Sequence, residues 1–146
     1  MAPPVTPGGG HVREPRGTFA KRERVRKRRE YLEIQAQGRR VNSPHFVLVV
    51  RAREPSRDGV VRLGITASRK VGVAVVRSRI RRLIREAFRA TRELFPRDAD
   101  VVVIVKRAPQ ELRLSDVVLE FQSVQRNLSR RIDEARQALN NKRSEP

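Results

Sequence analysis

The hydrophobic pattern along the chain changes period several times, and each change marks an element. Residues from about Arg26 to Gln37 read as a short helix closed by Gly38, the usual residue just past a helix end. His45–Arg53 alternates instead: Phe46, Leu48 and Val50 point one way, His45, Val47, Val49 and Arg51 the other. Glu54–Gly59 carries proline, serine and Asp-Gly, a turn signal joining this strand to the next. Val60–Ser68 is that next strand, with Val61, Leu63, Ile65 and Ala67 on one face and Arg62, Gly64, Thr66 and Ser68 on the other. Both strands bury one face and leave the other partly accessible. Asp100–Lys106 is a continuous valine-rich run, the mark of a more central strand. The pattern also allows a short strand between Arg39 and Ser43.

Two longer amphipathic stretches flank the valine run. Val76–Phe95, stopped by Pro96, is one helix. Ser115–Asn140 is the other, with Val117, Phe121, Val124, Leu128, Ile132, Ala135 and Leu139 in one apolar stripe. The order is α-β-β-α-β-α, an α+β fold in a single small domain with a small central sheet. That domain spans residues 21–140. Residues 1–20, rich in proline and glycine and without hydrophobic periodicity, are expected to form a disordered tail, and residues 141–146 a second one.

Composition then narrows the function. At 146 residues the chain suits one domain. Its net charge of +18 points to a polyanionic partner, nucleic acid or an anionic membrane surface. Only five basic residues are lysine, and arginine's planar fork suits bidentate phosphate contacts; codon bias in a GC-rich genome would also favour arginine. The absence of cysteine excludes disulfides, thiolate zinc sites and cysteine nucleophiles. Two histidines, His11 and His45, are too few for a histidine metal cluster. The longest aliphatic or aromatic runs, Phe46–Val50 and Val101–Val105, are too short for a bilayer span or a signal-peptide core. A soluble, cytoplasmic, nucleic-acid-binding domain is the expectation, with no membrane association.

The most informative stretch is Arg69–Arg92, with nine basic residues and one acid, Glu86. At about 100° per residue, Ile80, Leu83, Ile84, Ala87, Phe88 and Thr91 share one helix face. Arg81, Arg82, Arg85, Arg89 and Arg92 share the opposite one. Ordinary surface helices interleave glutamate with lysine or arginine, each i,i+4 pair adding roughly 0.2–0.5 kcal/mol. Here the neighbours along the strip carry the same sign, and only Arg82–Glu86 has compensating spacing. A helix that accepts this repulsion presents the strip to phosphates more readily than to solvent alone. A second basic run, Lys21–Arg29, has seven basic residues and one acid.

The segment Lys70-Val-Gly72-Val-Ala74-Val-Val-Arg77-Ser-Arg79-Ile-Arg81-Arg82-Leu-Ile-Arg85-Glu-Ala-Phe88 resembles the signature of the bacterial ribonuclease P protein component. The basic first helix ending in Gly38-Arg39-Arg40, the Phe46-Val-Leu strand and the Arg62-Leu-Gly-Ile65 strand match in order and spacing, over roughly residues 21–137. The resemblance implies a left-handed β-α-β crossover and a role as protein subunit of a ribonucleoprotein endonuclease that removes the 5′ leader from precursor tRNA. It further implies that the RNA subunit, with bound Mg2+, performs the hydrolysis, so that no residue of this chain is catalytic and none is a metal ligand. The partners implied are ribonuclease P RNA and precursor tRNA, with no protein partner required. Carried over position by position, Arg69, Lys70, Arg77, Arg79, Arg81, Arg82 and Arg85 contact the RNA subunit, and helix geometry adds Arg89 and Arg92. Lys21–Arg29 reads as additional RNA contact. The leader site implied is a cleft between the first helix and the accessible sheet face, with Tyr31, Gln35, Val49, Thr66 and Ser68 at the matching positions. Gln35 and Val49 stand where aromatics are common, and Tyr31 reads equally as a stacking platform or as a partly buried hinge. Ser78 and Val73 replace two asparagines of the signature. Gly72 either brings backbone close to phosphate or serves a conformational need.

The competing readings are a ribosomal or other structural RNA-binding protein, a DNA-packaging or groove-binding protein, and a free-standing ribonuclease. The arginine face offers no asparagine or glutamine for adenine readout, which disfavours the second. The chain has no histidine pair, carboxylate cluster or phosphate-binding loop, which disfavours the third.

Overall fold

The computed structural model describes residues 21–54, 59–107 and 111–144; the expected N-terminal tail and most of the Glu54–Gly59 turn lie outside the described residues. A 3-10 turn, Lys21–Glu23, leads into helix α1, Arg28–Gln37. Strands β1, Arg39–Asn42, and β2, Phe46–Ala52, follow. After β3, Arg62–Thr66, and a second 3-10 turn, Arg69–Val71, comes helix α2, Ala74–Ala90. A third 3-10 turn, Arg92–Leu94, precedes β4, Ala99–Val105, and the chain ends in α3, Leu114–Ser123, and α4, Gln125–Ser144. The short strand allowed by the pattern after Gly38 is therefore formed, as β1.

The sheet order is β1-β2-β4-β3. β1 and β2 are antiparallel, as are β2 and β4, whereas β3 runs parallel to β4. The two strands flanking the Glu54–Gly59 turn are thus not neighbours: β4 lies between them. Parallel pairing needs a crossover, and α2 supplies it. Alternation along a strand specifies which face is buried and is silent on which strand lies alongside.

One sheet face carries the main core. Phe46, Leu48 and Val50 of β2, Val101, Val103 and Val105 of β4, and Leu63 of β3 meet Ile80, Ile84, Ala87 and Phe88 of α2 and Val117, Phe121, Leu128 and Ile132 of α3 and α4. The other face holds a smaller cluster, Val49 and Val102 under Ile34 of α1 with Val25. The chain before α1 also covers the β3 edge, where the Val25 N–H donates to the Leu63 carbonyl at 2.9 Å. That bond satisfies an edge group that would otherwise face solvent.

Apart from shifts of one or two residues at other ends, three boundaries depart from the sequence pattern. Helix α2 stops at Ala90 rather than running to Phe95. Buried Thr91 donates its hydroxyl to the Ala87 carbonyl at 2.7 Å, and the following 3-10 turn swings Phe95 into the core against Phe88 and Phe121. Pro96 comes after the helix has already ended. The C-terminal helix is two helices, broken at Val124, where the Ser123 hydroxyl bonds back to the Glu120 carbonyl at 2.6 Å. Val124 stays buried, so the apolar stripe survives the break and the pattern could not reveal it. Finally, residues 141–144, expected to fray, belong to α4.

Gly38 is not a left-handed cap either: its φ of −77° is open to any residue. Its role is close approach. A Cβ there would stand 2.6 Å from both the Ile34 carbonyl oxygen and Val49 Cγ1, so only glycine lets α1 turn directly into β1. Among the described residues no helix is long and apolar enough to cross a membrane.

Candidate nucleic-acid interface

Helix α2 is amphipathic because its apolar side chains recur at helical spacing, and the fold seats that face on the sheet. Ile80, Ile84, Ala87 and Phe88 are wholly buried. On the far side Arg82 and Arg85 are exposed, with Arg81 and Arg89 half-buried beside them. The Arg82–Glu86 ion pair allowed by the spacing is not formed among the described residues. Arg92, at the end of the strip, instead meets Glu23 at 3.0 Å. Partial burial, together with the like charges of Arg24 and Arg81, pushes the Arg85 guanidinium below its ordinary pKa. The strip thus concentrates positive charge that an anion would relieve.

The approach to α2 has separate jobs. Arg69 and Lys70 are exposed on the 3-10 turn. Gly72 follows at φ 157°, a region that side chains rarely enter, and a Cβ there would meet Val76 Cγ1 at 2.9 Å. The conformational reading of Gly72 therefore suffices. Val73 is the N-cap, and valine has no side-chain acceptor for the first helical N–H groups. The asparagine of the family signature would supply one. Arg77 donates to the Gly72 carbonyl at 3.2 Å, fastening the turn to the helix. Arg79 lies on the flank towards α3 and donates to the Leu112 carbonyl, so it ties two elements together rather than extending the strip.

The opposite sheet face is organised in rows. Arg40, Val49, Val102 and Gly64 are in register across the four strands, and α1 covers this row. Val49 is wholly buried there, so it is core and not a lining residue of a leader cleft. Tyr31 lies on Gly64: a Cβ at that glycine would stand 2.7 Å from Tyr31 Cε1. The Tyr31 hydroxyl accepts the Ile65 N–H at 3.3 Å. The half-buried ring is clamped onto β3 and keeps part of its surface open. The next row, Asn42, Val47, Ile104 and Thr66, is only partly covered, and Ser68 beyond it is exposed. Gln35, half-buried, stands one turn along α1 from Tyr31. Tyr31, Gln35, Thr66 and Ser68 thus share one side of the sheet.

At the other end of this face lies a charge cluster that the alternation of the strands does not by itself reveal. Asp100 is wholly buried inside β4, and register places it opposite Arg51 on β2 and Arg62 on β3. Arg51 Nη2 is 2.9 Å from its carboxylate, Arg53 Nε 3.1 Å and Arg62 Nε 2.7 Å. Arg62 also reaches Glu30 of α1 at 2.9 Å. The hydrogen bond from Arg62 draws the Glu30 carboxyl down to about 2; burial opposes this, and the backbone N–H groups of Lys27 and Arg26 assist. Arg62 is pushed above its ordinary value, chiefly by Asp100. Three arginines around one buried carboxylate leave net positive charge beside α1. The signal was available: Arg51 and Arg62 lie on accessible faces, and a lone aspartate in a valine run needs a cation when buried.

Among the described residues no group of three or more histidine or acidic side chains is arranged to hold a metal ion. Asp100 and Glu30, the carboxylates beside α1, are already engaged by arginine.

Residues 19–129 match the family model described as Ribonuclease P. The chain is 42% identical over 104 residues to the ribonuclease P protein component of Syntrophus aciditrophicus, covering 71% of this chain and 85% of that one. Against the ribonuclease P protein component of Desulfovibrio desulfuricans it is 38% identical over 112 residues, 75% of this chain and 85% of the other. Among solved structures it is similar to the RNase P protein from Thermotoga maritima, with a TM-score of 0.61 and 28% identity over 72% of this chain and 96% of that one. The RNase P protein from Staphylococcus aureus gives 0.60 and 26%, covering 76% and 92%.

Proposed function

The chain belongs to the ribonuclease P protein family, and from that premise we propose that it presents the α2 arginines to ribonuclease P RNA and the α1-side sheet face to the 5′ leader of precursor tRNA. It is the protein component of an endoribonuclease, partnered by ribonuclease P RNA. The hydrolysis itself falls to the RNA subunit in this proposal, with Mg2+ held mainly by RNA. The engagement of Asp100 and Glu30 by arginine supports that division, because neither offers a free carboxylate to a metal. The observation that carries the RNA contact is the uncompensated strip of Arg81, Arg82, Arg85 and Arg89 on a helix whose other face is core. Such contacts read phosphates and shape, since A-form RNA hides its base edges. Tyr31, half-buried beside Gly64, is the aromatic group offered to an unpaired leader base.

The test is cleavage of precursor tRNA by the cognate ribonuclease P RNA at low Mg2+. Protein and RNA together should cleave at the mature 5′ end, while either alone should be inactive or nearly so. Changing Arg82, Arg85 and Arg89 to alanine should weaken RNA binding on the order of tenfold or more and lower the salt dependence by up to about one unit of slope per lost phosphate contact. A folded wild-type protein that fails to rescue the cognate RNA would move the reading to a structural RNA-binding role.

A further inference from the structure

A second convergence of arginines shares Arg53 with the Asp100 cluster and reaches from there to α4. Arg53 just past β2, Arg97 and Asp98 just before β4, and Arg136, Leu139 and Asn140 on α4 line a cavity of about 300 Å3. At roughly 30 Å3 per water, that is room for a phosphate group with part of its hydration. Arg136, Leu139 and Asn140 stand beyond residue 129, where the family match ends.

The arginines are held in place by neutral acceptors. Arg136 donates to the Arg97 carbonyl, and Arg53 donates to the Val60 carbonyl. The Arg97 guanidinium lies against Gly59, which has φ 61° and whose missing side chain leaves it that space. Arg53 is partly compensated by Asp100, 3.1 Å from its Nε. Among the described residues no ion pair involves Arg97 or Arg136. Among the described lining residues Asp98 contributes one carboxylate, against three guanidinium groups. Each guanidinium has five donors in a fixed fork, so one bond to a carbonyl leaves others for a tetrahedral anion.

We infer that this cavity is a second phosphate site, occupied in the assembled enzyme by a backbone phosphate of the RNA subunit, and that the C-terminal part of α4 extends the RNA footprint past residue 129, where the family match ends. The inference rests on the RNA-binding reading above. It goes beyond that reading by adding to the α2 contact a second one at the end of β2, before β4 and on α4.

The experiment uses the full-length chain. Inorganic phosphate is titrated while the side-chain NMR signals of Asn140, Arg97 and Arg136 are followed; all three should shift together and saturate. Asn140→Asp puts a negative charge at the cavity without removing an arginine, and Arg136→Gln removes one. Both should abolish the phosphate response, and Asn140→Asp should leave the thermal midpoint near wild type. Against ribonuclease P RNA, Asn140→Asp should weaken binding about threefold to tenfold and lower the salt slope by about one. RNA affinity within twofold of wild type would overturn the inference while leaving the α2 reading intact. A phosphate response without any RNA effect would make the cavity a small-anion site and overturn it equally. Failure of the wild-type chain to bind the RNA would overturn both readings, a different outcome from either.

Discussion

Asp100 and Arg62 stand opposite each other in the parallel register of β4 and β3, with Arg62 Nε 2.7 Å from Asp100 Oδ1. The pair does more than close a sheet end. Arg62 continues to Glu30, so one guanidinium joins the buried strand, the edge strand and the helix over them. The position of α1, and with it Tyr31, depends on this connection.

Asp100→Asn should therefore be among the most damaging single changes outside the apolar core. It leaves Arg51, Arg53 and Arg62 crowded without their carboxylate, and breaking a buried pair costs roughly 3–5 kcal/mol. The arginines are each about a fifth exposed and can turn to water, which favours the lower end. Denaturant unfolding should show a loss of about 3 kcal/mol. A loss under about 1 kcal/mol would mean that the cluster is already solvated and does not hold the fold.

The Gly64–Tyr31 contact gives a second prediction. Glycine to alanine in a strand is ordinarily favourable by roughly 0.5–1 kcal/mol. Here the new Cβ would meet Tyr31 Cε1 at 2.7 Å and must displace the ring, so the sign should reverse. Tyr31 is the chain's one tyrosine and there is no tryptophan, so intrinsic fluorescence reports this site alone. Gly64→Ala should lower stability and raise iodide quenching of that fluorescence. Unchanged quenching would show that the ring does not rest on β3 in solution.

Glu30 links stability to pH. Its carboxyl ionises near 2 in the folded chain against an ordinary value of 4.5, so between those values the unfolded chain binds more protons. The contribution is complete above about 4.5 and disappears as pH falls towards about 2. Glu30→Gln should destabilise the protein near neutral pH by about 1–2 kcal/mol, the range of a charge-assisted hydrogen bond partly open to solvent. The difference between variant and wild type should shrink below pH 4. Unfolding curves at pH 7 and pH 3 decide it: an equal difference at both would disconnect Glu30 from the acid limb.

Much of the architecture was legible in the chain because it is written in local periodicity. The α2 faces, with Ile80, Ile84, Ala87 and Phe88 inward and the arginines outward, follow from 3.6 residues per turn whatever the helix packs against. The alternation of Phe46, Leu48 and Val50 against Val47 and Val49 follows from the period of two in the same way. The family signature and its basic positions are equally local.

What only the tertiary structure decided are the relations between distant segments. Periodicity could not place β4 between β2 and β3, because strand order depends on which pairing the crossover through α2 permits. It could not tell that Val49 is sealed beneath α1, because both faces of β2 look apolar in the sequence and a covering helix is a long-range fact. Asp100 shows the same division. Its aspartate was visible in the valine run, but its meaning came from Arg51, Arg53 and Arg62, which lie 38 to 49 residues away and meet it only when the strands align. The physical reason is common to all three: side-chain direction is fixed within a few residues by backbone geometry, whereas partnership is fixed by packing between elements, where charge and volume must be satisfied together.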